Sequence, residues 1–145
     1  MNASNPLLDL QSAAGPAVPA RPSAALVNRD AAVRVSLKFL FEAAGFGVRA
    51  FASGRGLMAS SAGRAADCFV LDHAPRAPDG LHLARRLRAR GLRAPILLTT
   101  DFPCSALEVL VGAIERVILA PTIDDALIRR LLEMIETDRR LRKTT

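Results

Sequence analysis

The chain contains no tryptophan and no tyrosine, so aliphatic side chains and six phenylalanines must fill its interior. Cysteine is nearly absent as well. Cys68 sits inside an apolar run and Cys104 follows Pro103, without metal-ligand spacing. That usage argues against a disulfide framework and for a reducing compartment. No run of about 18 apolar residues is present, so nothing reads as a membrane-spanning helix. The amino terminus lacks the basic start and apolar core of a signal peptide. Together these absences lead to the expectation of a cytoplasmic protein with no membrane contact. Also missing are a nucleophile elbow, an acid/base pair and a phosphate-cradling glycine loop, so an enzyme with chemistry of its own is not expected.

What is present fits one domain. Half of the 145 residues are apolar, enough for a sizeable core. The net charge of +6 comes mostly from arginine, notably Arg85, Arg86, Arg88, Arg90 and Arg93, and then Arg129, Arg130, Arg139, Arg140 and Arg142. Such a balance permits contact with nucleic acid or an acidic partner. No aromatic residues interleave with these arginines as a single-strand groove requires, so they read as solvated helix faces and nucleic acid as an unlikely partner.

Residues 1–23 are rich in Ala, Pro, Ser and Asn and read as a flexible tail. Leu7, Leu8 and Leu10 are its one apolar cluster, able to dock as a short turn. The regular region spans residues 24–138, and residues 139–145 read as a frayed basic tail. Ala25-Leu26-Val27 makes a short buried strand. Asp30 then caps a helix whose inward positions are Val33, Leu37, Leu40, Phe41 and Ala44, ended by Gly45. A strand at residues 48–51 and a short helix opened by Ser53 follow. Further strands fall at residues 67–71, 96–99 and 117–119. Helices fall after Gly80, around residues 105–112, and from Asp124 onward. Short apolar strands alternating with amphipathic helices imply an α/β fold: a doubly wound, five-stranded parallel sheet in the order 2-1-3-4-5, with five helices covering both faces.

In such sheets, polar groups at the carboxyl ends of the strands carry the chemistry. Asp72 ends the third strand, Thr100 the fourth, and Asn28-Arg29-Asp30 the first. His73 and His82 face loops or solvent by pattern and lack companion ligands.

On these residues the chain resembles the receiver domain of two-component response regulators, the CheY-like family. It is closest to the receivers of nitrogen-fixation-type regulators. The segments Val33-Arg34-Val35-Ser36-Leu37 and Ala44-Gly45-Phe46-Gly47-Val48 carry the likeness, which covers about residues 24–135. The spacing agrees: Asp72 lies 44 residues after Asn28, Gly80 lies 8 after Asp72, and Thr100 lies 28 after Asp72. The resemblance implies that Asp72 holds the phosphoacceptor position and Thr100 that of the switch residue.

A working receiver of this family binds Mg²⁺ with two adjacent carboxylates and the phosphoacceptor, and holds the phosphoryl group with a Thr and a Lys. The physical need is plain. Mg²⁺ wants oxygen ligands, and attack of a carboxylate on a phosphate needs positive charge to offset repulsion. Here the acid pair falls on Asn28 and Arg29, and the Lys position on Ala120 before Pro121. The loop departs at Pro75 and Arg76, and an interval of 20 residues between Thr100 and Ala120 implies a trimmed helix. The resemblance is thus to a degenerate receiver, or pseudo-receiver, with weak or absent Mg²⁺ binding and no cofactor. Because a buried carboxylate must be neutralised, Arg29 is expected to pair with Asp72.

The function expected is an atypical stand-alone receiver in a phosphorelay, acting by protein–protein interaction without Mg²⁺-dependent phosphorylation. Its partner would be a histidine kinase, another signalling protein, or a second copy. The face built by the fourth helix, fifth strand and fifth helix of the five expected would serve, through Leu107, Leu110, Val111 and Ile114 with Arg129 and Arg130 at the rim. The alternatives are a conventional phosphoacceptor regulator using Asp72 and a basic nucleic-acid-binding module.

Overall fold

A computed structural model describes residues 20–74 and 79–144. The expectations for Leu7, Leu8 and Leu10, and for the loop at Pro75 and Arg76, concern residues outside that range. The strands are β1 (Ser23–Val27), β2 (Gly47–Phe51), β3 (Cys68–Asp72), β4 (Ile96–Thr99) and β5 (Val117–Ala120). The helices are α1 (Ala31–Ala43), α2 (Gly54–Ala59), α3 (Ser61–Arg64), α4 (Asp79–Ala89), α5 (Ser105–Gly112) and α6 (Asp125–Thr144). All strands pair in parallel, in the order β2-β1-β3-β4-β5.

Alternation along each strand divides the core into two layers. Ala25, Phe69, Leu71, Ile96 and Leu98 meet Leu57, Leu83, Leu87 and Leu107 on the face covered by α2, α4 and α5. Ala24, Leu26, Cys68, Val70 and Leu97 meet Phe41, Ile128, Leu131 and Ile135 on the face covered by α1 and α6. Phe41 and Phe46 pack edge to face, their centroids 5.1 Å apart, and so take part of the load that Trp or Tyr would carry. Each fully buried Leu or Phe contributes about 2–3 kcal/mol of transfer free energy.

Local chemistry sets most boundaries. The Asp30 carboxylate accepts from the Ala32 and Val33 amides and starts α1; Gly45, at φ +100°, ends it. Ser53 and Ser60 cap α2 and α3, so the one expected short helix is in fact two. The Asp124 carboxylate accepts from Leu127 N at 2.8 Å and caps α6.

Both expected tails are shorter than their composition implies. Gly47 N donates to Pro22 O, and Arg21 donates to Gly45 O and Phe46 O, so the fold begins before residue 24. At the other end α6 runs unbroken through the expected tail at residues 139–145 as far as Thr144. Arg139 explains this, reaching back to Ala20 O, Arg21 O and the Asp67 carboxylate. Among the described residues no helix is long and apolar enough to cross a membrane.

Candidate functional site

The carboxyl ends of β1 and β3 and the start of α2 open onto a cavity of about 240 Å³. Asn28, Arg29, Ser53, Asp72 and Gly80 line it. Gly80 is dictated by close approach. A Cβ there would lie 2.2 Å from the Asp72 carbonyl oxygen and 2.9 Å from Leu98 Cδ1. Only glycine lets α4 start hard against the end of β3.

Asp72 is half-buried at the end of β3, in register with Thr99 on β4. The Thr99 hydroxyl donates to Asp72 Oδ1 at 3.2 Å and lies 3.3 Å from Leu71 O. Burial raises the Asp72 carboxyl above its ordinary value of 3.8. The Thr99 hydrogen bond opposes that, the nearby Asp101 adds to it, and His73 opposes it weakly. Sequence reasoning missed Thr99. The available signal was the strand register, which sets the last residue of β4 beside the last residue of β3.

Thr100 is buried, and its hydroxyl accepts from Phe102 N at 3.1 Å rather than meeting Asp72. It closes a local turn, as Ser and Thr do at strand ends. Ala120, expected at the Lys position, ends β5 in register with Thr99 and is buried.

The first-strand residues are committed locally. Asn28 Oδ1 accepts from Asp30 N at 2.9 Å, and Asn28 O accepts from the Arg34 guanidinium at 2.8 Å. Asp30 is the α1 cap. The expected Arg29–Asp72 pair is not formed: among the described residues no ion pair joins the two, and Arg29 is exposed at the cavity rim. Hydrogen bonding from Thr99 and partial hydration meet the carboxylate at lower cost than burying a guanidinium.

His73, expected to face a loop or solvent, is half-buried instead. Its Nδ1 is buried with no hydrogen-bond partner. No group of three or more His, Cys, Asp or Glu among the described residues is arranged to hold a metal.

The expected partner face also needs correcting. Leu107 and Val111 are buried in the core against the sheet, and Ile114 packs against the same layer. An eight-residue helix covering a sheet must turn one side inward. Leu110 is exposed as expected, and Val109 and Phe102 join it at the surface. Arg129 and Arg130 are exposed on α6.

No family profile matches the chain. The transcriptional regulatory protein FixJ of Bradyrhizobium diazoefficiens is 34% identical over 115 residues, which is 77% of this chain and 54% of FixJ. The chain thus spans about half the length of that relative. Among solved structures, a response regulator receiver protein from Pseudoalteromonas atlantica superposes with a TM-score of 0.69 at 21% identity, covering 81% of this chain and 99% of that one. The Vibrio cholerae chemotaxis protein CheY4 does so with a TM-score of 0.67 at 18% identity, covering 79% and 99%. The receiver domain of the Francisella response regulator 1452 gives 0.65 at 20% identity, covering 81% and 98%.

Proposed function

This chain is a response-regulator receiver domain, and from that premise we propose that it signals in the cytoplasm by protein–protein contact, without Mg²⁺-dependent phosphorylation of Asp72 and without catalysis of its own. One observation carries the reading. The group that would replace the lost acid pair, the Asn28 side-chain oxygen, accepts from Asp30 N, and the Asp30 carboxylate caps α1.

Among the described residues lining this cavity, a divalent ion would find one carboxylate, Asp72, with Arg29 at the rim. Mg²⁺ is held through carboxylates and its own waters, and a permanent cation at one ligand position opposes it. The phosphoryl group would fare no better. Ala120 supplies no positive charge, and the Thr100 hydroxyl is turned to its own loop. Thr99 keeps Asp72 in place, and neither Thr100 nor Ala120 holds the phosphoryl oxygens.

The surface that supports an output lies on α5, β5 and α6. Val109 and Leu110 on α5 are exposed apolar groups there, Phe102 in the loop before α5 is another, and Arg129 and Arg130 supply charge on α6. A protein partner with an apolar patch rimmed by carboxylates fits this composition, and so does a second copy. The deciding experiment is intact-mass analysis after incubation with Mg²⁺ and a small-molecule phosphodonor, comparing the native chain with Asp72→Ala. No adduct on either is expected. A phosphoryl adduct on the native chain alone would make Asp72 a live switch and overturn the proposal.

A further inference from the structure

Helix α6 overhangs the amino edge of the sheet. Ile135, Asp138, Leu141 and Arg142 fall three or four residues apart, so they share one face of its last turns. That face, the start of β3 and the loop before β4 border another cavity, of about 470 Å³. Ala65, Ala66, Gly91 and Ala94 leave it room, since their side chains are small or missing. From this edge β3 runs five residues to Asp72, roughly 16 Å, so the cavity lies apart from the one described above.

Its size is that of a small-molecule site, and its wall combines charge with an apolar floor. Arg64, Arg93, Arg116 and Arg142 line it, with two carboxylates, Asp67 and Asp138. Both acids are already met. Asp138 takes two bonds from Arg116, and Asp67 accepts from Ser23 N, Ser23 Oγ and, at 3.1 Å, Arg139. Arg116 is itself fixed, because its carbonyl accepts from Ile96 N and Arg88 and its guanidinium also donates to Arg93 O.

The other three cations are held less firmly. Arg93 pairs with Glu115 across a contact 64% exposed on each side, which water screens. Arg142 stands 3.9 Å from an Asp67 oxygen, beyond hydrogen-bond reach. Arg64 donates to Met58 O, and a guanidinium carries five N–H groups. An anion can therefore draw these side chains without taking from Asp67 or Asp138 the bonds named above. Beneath them Ala66 and Ile135 are buried, and Leu141, 61% exposed, adds an apolar flank.

We propose that this cavity binds a small amphipathic anion. Its oxyanion head is held by Arg64, Arg93 and Arg142, and its apolar body lies on Ala66, Ile135 and Leu141. Such a ligand ties the end of α6 to the start of β3 and the loop before β4. It does so whether or not Asp72 accepts a phosphoryl group.

The probe is naphthoate, titrated into the isotope-labelled full chain at constant ionic strength and followed by amide NMR shifts. Saturable shifts at residues 65–67, 91–94 and 138–142 are expected, with a Kd of about 1 mM or tighter. Naphthamide has the same body without the charge, and inorganic phosphate has charge without the body. Each should bind at least ~tenfold more weakly. Arg93→Gln with Arg142→Gln, both exposed, should weaken naphthoate at least ~tenfold. Arg129→Gln with Arg130→Gln removes the same charge from α6 outside the cavity and should leave binding unchanged. Equal losses in the two double variants would overturn the proposal, as would naphthamide or phosphate binding as tightly as naphthoate. Shifts confined to the surroundings of Asp72 and Gly80, or no saturation up to ~10 mM, would do the same.

Discussion

At the amino end of the sheet, arginines bond to backbone carbonyls and to carboxylates brought from far along the chain; at the carboxyl end, side chains bond mainly to their own turns. Arg88 donates to the carbonyls of Leu92, Glu115 and Arg116. Arg64 donates to Met58 O. Arg116 makes a two-pronged contact to Asp138 at 2.9 and 3.0 Å. Asp67 accepts from Ser23 N, from Ser23 Oγ and from Arg139. Helices in this fold end at that edge, where their last carbonyls lack partners and the helix dipole favours cations. Arg64, Arg88, Arg116 and Arg139 thus serve backbone carbonyls that need donors. Crowding has a cost there: burial, then the neighbouring Arg116 and Arg93, push Arg88 down to about 10. At the carboxyl end, among the described residues, one cross-strand side-chain bond meets the acid, Thr99 to Asp72, beside a cavity. One end staples the fold, and the other keeps the outline of a site.

If that contrast is right, the largest effect at the carboxyl end should come from shape rather than charge. Gly80→Ala drives a methyl into the Asp72 backbone, which has no side-chain freedom to yield, and should cost about 3 kcal/mol or more in urea denaturation. A loss under 1 kcal/mol would mean that the start of α4 is loosely seated. At the amino end, Asp67→Ala removes the acceptor that joins β1 to α6 and should cost about 2 kcal/mol. A smaller loss than Gly80→Ala, but with increased hydrogen exchange at both Ser23 and the last turns of α6, would sharpen the picture of a staple.

Asp72→Asn should act with the opposite sign. The folded carboxyl titrates above its unfolded value of 3.8, so folding favours the protonated form. That contribution is fully present below pH 3.8 and is lost as pH rises through the folded value. The Asn variant should therefore be the more stable at neutral pH, with the gain fading on acidification. Destabilisation at pH 7 would show that an unrecognised cation pairs with Asp72. The smallest effect belongs to Arg93→Ala. Its ion pair with Glu115 at 2.6 Å is 64% exposed on both sides, and its removal should change stability by no more than about 0.5 kcal/mol.

The residues that misled the sequence reading share a cause. Leu107 and Val111 are no more apolar than Val109 and Leu110; which pair faces the sheet depends on how α5 rolls onto β4 and β5. Arg29 and Asp72 both lie at strand ends, yet Thr99 on the adjoining strand is the donor that Asp72 meets. The segment after Asp138 reads as a polar tail until Arg139 is seen to hold Ala20, Arg21 and Asp67. By contrast the capping of α1 by Asp30, the left-handed glycine after it and the strand order were all legible, since each follows from local patterning or from right-handed crossovers.

The sequence by itself determined the five strands, the parallel sheet they build and most of the helices that cover it. Those features rest on periodicities of two and of about four residues, and on residue identity, which chain order preserves. Only the tertiary structure decided that Thr99 rather than Arg29 meets Asp72, that Asn28 is buried and tied to its own turn, and that Arg88, Arg116 and Arg139 bind carbonyls. These are contacts between residues far apart in the chain or choices among several near neighbours, and their partners are fixed by packing, which no local pattern encodes.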